Sequence, residues 1–233
     1  MPLKEDAPLR EKLYPYRGEL GKRLGGAPWL EDYDKILIEG RVLSDDAVAG
    51  TILRLPFVHG PRSYRYANYI RRMRDGRPAI VLGAAFARLE GTRAYVADVA
   101  LAIALAVQNE AAAKRVYNVG EPEPMRERDV VRALADAAGW RGEVVCVDAP
   151  RVPSELAERL PPHLTAATSH DLVLDTTRLR RELGYVERVP RADGFRRTVE
   201  WIDTHPPPQD LPALGVLDYA ARDELLRRLA AVG

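Results

Sequence analysis

Short apolar segments that favour β-strands alternate along this chain with segments of helical period. Predicted strands cover residues 51–58, 79–82, 92–96, 115–120 and 143–147. Predicted helices cover residues 29–43, 63–74, 99–110, 127–138, 178–183, 192–204 and 218–232, and a short helix bounded by prolines is expected within residues 150–162. Glycine, proline and aspartate occur at most of the junctions, where they end strands and cap helices. Because alternating strands and helices are typical of parallel sheets covered by helices, we predict an α/β fold.

Three regions differ in composition along the 233 residues. Residues 1–28 are rich in proline, glycine and charge and have no sustained period, which predicts an irregular lead-in. Residues 29–205 carry nearly all of the strand and helix alternation. Residues 206–233 begin with three prolines and end in an amphipathic helical pattern. We therefore expect one α/β body, followed by a proline linker and a terminal helix.

Composition excludes several classes of function. The 35 basic and 34 acidic side chains leave a formal net charge of +1, which disfavours nucleic acid or an anionic membrane as a partner. Cys146 is the only cysteine, so an internal disulfide and a cysteine-rich metal site are excluded. The chain starts without the apolar core of a signal peptide and has no apolar run of about 20 residues. We expect a cytoplasmic protein that binds a small molecule.

Five landmarks follow one another in a characteristic order. They are Lys35-x-x-x-Glu39, Leu53-Arg54-Leu55-Pro56-Phe57-Val58-His59-Gly60-Pro61, Thr92-Arg93-Ala94-Tyr95-Val96-Ala97-Asp98, Val116-Tyr117-Asn118-Val119-Gly120 and Asp175-x-x-Arg178-x-x-x-Glu182-Leu183-Gly184-Tyr185. This order resembles the NAD-dependent epimerase/dehydratase family, the extended short-chain dehydrogenases/reductases. The resemblance covers residues 1 to about 205 and matches the carboxyl-terminal two-thirds of a family member.

The resemblance implies an incomplete Rossmann-like, doubly wound parallel sheet, interleaved over residues 29–205 with a smaller α/β substrate-binding domain. It also implies NAD or NADP as the cofactor. A dinucleotide pyrophosphate is held on a glycine-rich turn between a strand and a helix, and the only glycine cluster, residues 18–26, has no apolar strand before it. We predict that this cluster is a loop and do not expect this chain alone to bind the dinucleotide. The uncovered edges and faces should then promote a homo-oligomer, or be covered by a partner chain that supplies the absent amino-terminal half.

Members of the family that this chain resembles share a Tyr-x-x-x-Lys pair, and Lys35 matches the lysine of that pair. The resemblance therefore implies catalytic and cofactor-binding roles for Lys35. Position 31, four residues earlier, is glutamate. Tyr33 is two residues from Lys35, roughly 200° around a regular helix, so it replaces the usual tyrosine only if the helix begins near Tyr33. Alternatively, Glu31, Lys35 and Glu39 form an i, i+4 ladder of ion pairs.

Further site residues are implied by the same resemblance. Pro56 and Val58 match the cofactor side of the loop that follows the Arg54 strand, and Phe57 and His59 match its substrate side. Sugar-nucleotide enzymes of this family usually have asparagine where this chain has Phe57 and tyrosine where it has His59. These differences weaken the case for a sugar-nucleotide substrate. His59 is a candidate general acid, with a packed, hydrogen-bonded side chain as the alternative.

Arg93 matches an arginine that in the family often clamps substrate phosphate, for which its planar fork of donors is well suited. The alternative is a structural ion pair with Asp98. Asp98 itself is expected to cap the following helix rather than to catalyse.

Two functional hypotheses follow. The first is hydride transfer with NAD(P) on a sugar-like or other hydroxyl or carbonyl substrate, in a protein of which this chain is a part. The second is a non-catalytic small-molecule-binding or regulatory protein derived from the same family. The four histidines have no metal-ligand spacing, and no Gly-x-Ser-x-Gly or Walker-type motif occurs, which disfavours metal, hydrolase and kinase chemistry.

Overall fold

Pairs of parallel strands form the framework of the protein. The structure, a computed structural model, describes residues 1–12, 33–167, 170–208 and 218–231. The strands are β1 Ile52–Arg54, β2 Phe57–His59, β3 Ala79–Gly83, β4 Glu90–Gly91, β5 Arg93–Tyr95, β6 Val116–Asn118, β7 Met125–Arg126 and β8 Glu143–Val147. The α-helices are α1 Lys35–Ser44, α2 Ala67–Arg74, α3 Ala84–Arg88, α4 Val96–Gln108, α5 Glu127–Ala138, α6 Thr177–Leu183, α7 Arg191–Thr204 and α8 Tyr219–Ala231.

Strand pairing confirms the predicted α/β class. β1 pairs with β6, β2 with β5 and β3 with β8, all in parallel, while the short β4 and β7 are antiparallel. Parallel neighbours require a crossover between them, and in each parallel pair at least one helix lies between the two strands in the chain. The architecture is that of a Rossmann-type protein of which only part is present.

The single strand predicted over residues 51–58 is wrong, because the chain forms two strands there. Ile52 lies opposite Val116, whereas Phe57 lies opposite Arg93 in a different strand pair. Pro56 lies between the two strands and has no N–H to donate to a ladder, so the pairing is interrupted at this point. The break moves β2 away from β6 and places it beside β5, where the candidate site is built.

Two helices begin later than predicted. Helix α1 starts at Lys35, where Asp34 is the N-cap and its Oδ1 accepts from the Ile36 N–H at 3.0 Å. Residues 29–32 of the prediction lie outside the described part of the chain. Helix α2 starts at Ala67 rather than at Ser63. The Ser63 N–H instead donates to the Gly60 carbonyl in a turn, which delays the helix by one turn.

Elements with strong local signals are confirmed. β8 and α5 have the predicted bounds, and β3 is one residue longer than predicted, since it ends at Gly83. Helix α6 is preceded by Asp175, whose Oδ1 accepts from the Thr177 N–H at 2.9 Å. It ends at Gly184, which has φ 66° and satisfies the end of the helix as a left-handed cap.

Three apolar clusters in the described residues hold these elements together. Helices α2, α5 and α7 pack with β3 around Ile70, Leu134 and Phe195, all at most 1% exposed. A second cluster joins α4 and α6 to β5 and β6, and a third joins α8 to β3 and to the 3₁₀ turns over residues 154–164. The site described below lies beside the first cluster.

Helix α1 differs from these helices because none of its residues is buried. Its Leu37 and Ile38 are 55% and 52% exposed, and Val107 at the end of α4 is 81% exposed. Large apolar side chains on helices normally cover a core, so Leu37 and Ile38 on α1 and Val107 on α4 are apolar positions that the described residues leave exposed. None of the described helices has the length and hydropathy that a membrane span requires.

Candidate functional site

The site begins where β2 and β5 lie side by side. The parallel register places Phe57 directly opposite Arg93, and the Arg93 guanidinium lies 4.5 Å from the centre of the Phe57 ring. Arg65 lies 5.2 Å from the same ring. The approach is close enough that a Cβ on Gly91 would clash with Arg93 Nη1 and with the Phe57 ring, so a larger residue there would displace these two side chains. Two of the predicted substrate residues, Phe57 and Arg93, are thus brought together.

Arg93 is held by a carboxylate from another part of the chain. Its side chain is 1% exposed, and Nη2 donates to Glu127 Oε2 at 2.8 Å. Glu127 is the first residue of α5, and its second oxygen accepts from the Tyr69 hydroxyl at 3.1 Å. A buried guanidinium requires such a partner, because an unpaired charge is costly in a low-dielectric interior.

The predicted alternative for Arg93, an ion pair with Asp98, is wrong. Asp98 is buried in the first turn of α4, and its Oδ1 accepts from the Arg188 N–H at 2.7 Å. It does not cap its own helix either, since the N-cap of α4 is Tyr95. Asp98 therefore joins α4 to the segment that precedes α7.

A cavity of about 480 Å³ opens beside this cluster. It is lined by Phe57, Arg65, Tyr66, Asn68, Tyr69, Arg72, Phe86, Leu89, Arg93, Glu127, Pro161, Pro162 and His163. Its wall contains three arginines and one carboxylate, so positive charge is in excess. Four buried polar atoms of the wall have no hydrogen-bond partner in the described structure: Tyr66 Oη, Arg72 Nη1, Arg93 Nε and His163 Nε2.

These atoms define the chemistry of the cavity. Buried polar groups in native proteins are almost always satisfied, so unsatisfied donors on a cavity wall indicate the place of a polar ligand. Burial raises the pKa of Tyr66 to about 12, so its hydroxyl remains a hydrogen-bond donor at neutral pH. Guanidinium groups favour carboxylate and phosphate oxygens. The wall is therefore suited to an anionic ligand with apolar or ring portions against Phe57 and Phe86.

His59 lies outside the cavity wall and is 0% exposed. Its ring stacks on Phe195 at 4.7 Å, and Nδ1 lies 3.0 Å from Thr198 Oγ1. Because the Thr198 hydroxyl already donates to the Gly194 carbonyl, it accepts from His59 Nδ1–H, which leaves Nε2 as the acceptor nitrogen. Burial lowers the pKa of His59 to about 4. These contacts are those of a packed, hydrogen-bonded side chain, which is the alternative given for His59 in the sequence analysis. The role of His59 as a general acid stays a prediction.

The candidate reactive end lies at the start of α1. Lys35 is the first residue of the helix and is exposed, and Tyr33 lies before the N-cap and is half-buried. Tyr33 is therefore outside the helix, so the angle of about 200° for a regular helix does not separate it from Lys35. Glu39 pairs with Arg54 at 2.8 Å instead of joining a ladder with Lys35, and Glu31 lies outside the described residues.

Predicted cofactor residues lie at the break between β1 and β2. Pro56 is buried and Val58 is half-buried, with its carbonyl accepting from Arg65 Nε at 3.2 Å. The glycine cluster of residues 18–26 lies outside the described part of the chain. Within residues 1–12, 33–167, 170–208 and 218–231, no strand-to-helix turn contains the several glycines of a pyrophosphate cradle. The described residues thus include candidates for the nicotinamide end of a dinucleotide but no cradle for its phosphates.

Sequence reasoning found only Phe57 and Arg93 of the cavity wall and missed the rest, including the polar residues Tyr66, Arg72, Glu127 and His163. Arg72 lies on α2, Tyr66 lies in the turn before α2, and Glu127 is the first residue of α5. His163 lies on a 3₁₀ turn about 90 residues after Arg72 in the chain. No local pattern distinguishes them from ordinary surface or core positions. The one available signal was a second arginine on the apolar face of α2, where the period predicts burial.

Known proteins resemble this chain in part. No model of a known protein family matches it. A dTDP-glucose 4,6-dehydratase of Streptomyces griseus is 33% identical over 104 residues, which is 43% of this chain and 26% of that protein. The match therefore spans about a quarter of this curated relative.

Solved structures match over a longer range. UDP-glucuronic acid 4-epimerase from Bacillus cereus, solved with UDP-glucuronic acid and NAD, aligns with a TM-score of 0.62 at 17% identity, covering 88% of this chain and 57% of that one. DesIV, a dTDP-glucose 4,6-dehydratase from Streptomyces venezuelae with NAD and TYD bound, aligns with a TM-score of 0.59 at 22% identity, covering 88% and 55%. The chain thus has the fold of NAD-dependent epimerases and dehydratases, and it represents a little more than half of the length of these two. The resemblance to an extended short-chain dehydrogenase/reductase, present only in part, is confirmed.

Proposed function

We propose that this chain forms the substrate-binding part of an NAD(P)-dependent epimerase, dehydratase or reductase, and that it holds an anionic, sugar-like substrate in the Arg93 cavity. The observation that supports this most strongly is the wall itself, where Arg93 and Tyr66 have unsatisfied buried donors beside the ring of Phe57. The volume of about 480 Å³ fits a sugar phosphate or a somewhat larger ligand. Relatives with the same fold have been solved with UDP-glucuronic acid or TYD bound.

Each part of the reaction has a candidate group. A bound NAD(P) would supply hydride transfer to or from a carbon of the substrate. Arg93 fixes the anionic group of the substrate and thereby orients the reacting ring. Lys35 contributes a positive charge at the start of α1, and Tyr33, which lies outside the helix, is the candidate acid or base. Catalysis requires the dinucleotide phosphates to be held by residues other than those described.

We propose that the dinucleotide-binding part of the fold covers the face of α1 that carries Leu37 and Ile38, which the described residues leave exposed. Leu37 and Ile38 are each more than half exposed there, and the solved relatives are nearly twice as long as the part that this chain matches. Without that cover, this chain should self-associate through the same face. Light scattering between about 1 and 100 µM should show oligomers of the unmodified chain, and L37E/I38E should remain monomeric. An unmodified chain that stays monomeric over this range would contradict the proposal.

Binding experiments test the substrate and cofactor parts separately. Titration with UDP-glucose and dTDP-glucose should raise the melting temperature, and Arg93→Met should abolish the shift because the anion loses its main donor. R71M is the matched control, since Arg71 is exposed on the same helix as the cavity residue Arg72 and pairs with Asp75. NADH fluorescence should not change with this chain alone, but it should change when the dinucleotide-binding part is supplied. No response to any sugar nucleotide or sugar phosphate would refute the proposed substrate class.

A non-catalytic binding protein is the second candidate. The observation that favours it is the position four residues before Lys35, which is Glu31 rather than the tyrosine of the family. Under this alternative, the sugar ligand binds in the Arg93 cavity but no turnover occurs in the presence of NAD and the dinucleotide-binding part. Tyr33→Phe distinguishes the two, because it reduces turnover only if Tyr33 acts as the acid or base, while ligand affinity is unchanged in either case.

A further inference from the structure

A second arginine of the cavity, Arg72, is buried without a carboxylate partner. Arg72 is 2% exposed and lies on α2. The guanidinium hydrogen-bonds to the carbonyl and side-chain oxygens of Asn68 and lies 5.3 Å from the centre of the Tyr69 ring. Its Nη1 has no partner, and no carboxylate of the described residues forms an ion pair with it. Arg93, by contrast, is neutralised by Glu127.

The surroundings of Arg72 add to its positive charge. Burial, and then the charge of Arg222 on α8, lower the pKa of Arg72 to about 10, so it still carries its proton at neutral pH. A buried cation in this position destabilises the protein unless a counter-ion is present. Since the described chain supplies no counter-ion and Arg72 lines the cavity, the place of the counter-ion is open to a ligand.

His163 completes this part of the wall. Its ring lies 4.7 Å from that of Phe86, and its Nε2 has no partner. Burial and the neighbouring arginines lower the pKa of His163 to about 4, so the ring is neutral at pH 7. A neutral imidazole can donate or accept one hydrogen bond to a ligand held at Arg72.

We infer that Arg72 is a second anion-binding residue, and that the ligand of this cavity carries two anionic groups, one bound at Arg93 and one at Arg72. The inference rests on the proposed function, because it assumes that the substrate binds in the Arg93 cavity, which Arg72 also lines. It narrows the substrate class to sugar-like molecules with a phosphate and a second phosphate or carboxylate. Arg72 is in this sense a specificity-determining residue, since a ligand with a single anionic group leaves its charge uncompensated.

Three probes that differ in one group each test the inference. Glucose 1-phosphate has one anionic group, whereas glucose 1,6-bisphosphate and glucuronic acid 1-phosphate each have two. Calorimetric titration should show that at least one of the two doubly anionic probes binds about tenfold or more tightly than glucose 1-phosphate, as expected for one additional charged hydrogen-bonded contact. The better of the two identifies the second group as phosphate or carboxylate.

Variants of α2 complete the test. Arg72→Met should remove the preference for the doubly anionic probe and should melt at a higher temperature than the unmodified protein when no ligand is present, because a buried unpaired charge has been removed. Arg71→Met, the exposed neighbour, should change neither property. Arg72→Gln serves as the second variant if the methionine protein does not fold, and it should lose the same preference.

Two results would overturn the inference. One is equal affinity for singly and doubly anionic probes in the unmodified protein, and the other is an undiminished preference in the Arg72 variants. Pyrophosphate separates the inference from the proposed function. If no sugar phosphate binds but pyrophosphate binds and depends on Arg72, the sugar substrate is wrong and the paired anion site stands.

Discussion

The ion pair between Arg93 and Glu127 allows a quantitative prediction. The two side chains are 1% and 10% exposed and are joined at 2.8 Å. Arg93→Met keeps the apolar stem but leaves the Glu127 carboxylate buried, with the Tyr69 hydroxyl as its remaining side-chain donor among the described residues. Removing one member of a buried pair costs about 3–5 kcal/mol, and loss of the cation–π contact with Phe57 adds roughly 0.5–1 kcal/mol. The free energy of unfolding should therefore fall by about 3.5–6 kcal/mol.

A double-mutant cycle separates the stranded charge from the lost packing. R93M/E127M replaces both charges with apolar side chains of similar length and should recover at least about 2 kcal/mol of the loss, because no uncompensated carboxylate remains. Urea unfolding followed by tryptophan fluorescence and circular dichroism measures all four proteins. R71M, which breaks an exposed pair with Asp75, should change the free energy by less than about 1 kcal/mol. An R93M protein within 1 kcal/mol of the unmodified one, or a double variant no more stable than R93M, would refute the reasoning.

Three further predictions concern pH and glycine positions. The pKa values of His59 and His163 are each lowered to about 4, so the unfolded chain binds more protons below pH 6.5 and stability should fall between pH 6.5 and 4, by on the order of 3 kcal/mol for each ring. His59→Phe should remove about half of this acid slope in urea unfolding, and an unchanged slope would count against the assignment. Gly83→Ala should lower stability by roughly 1–3 kcal/mol, since its Cβ would lie 1.9 Å from the His163 carbonyl oxygen. Gly40→Ala in α1, where an added Cβ meets no atom within 4 Å, should instead stabilise the protein by up to about 1 kcal/mol, and a G40A protein that melts at a lower temperature would contradict this prediction.

Local signals were sufficient for much of the fold. Helix α5 was predicted with its bounds because its apolar residues recur at helical spacing and Gly139 follows in the left-handed conformation. β8 is a short run dominated by valine, and α6 has Asp175 before it and Gly184 after it. These features act within a few residues, so the sequence alone determined them, together with the α/β class and the resemblance to epimerases and dehydratases.

The tertiary structure alone decided how the site is assembled. The change of partner at Pro56 depends on which strands lie nearby, since the same apolar run could have paired along its whole length with one neighbour. Arg93 lies opposite Phe57 because of that change, and its partner Glu127 is 34 residues away in the sequence. Burial then determined the chemistry, because Arg72 on α2 is an unneutralised cation only in the folded protein, where it is buried on the wall of a cavity that it shares with the distant His163. Sequence patterns specify local conformation, whereas the charge balance of a cavity depends on which distant residues share the same low-dielectric space.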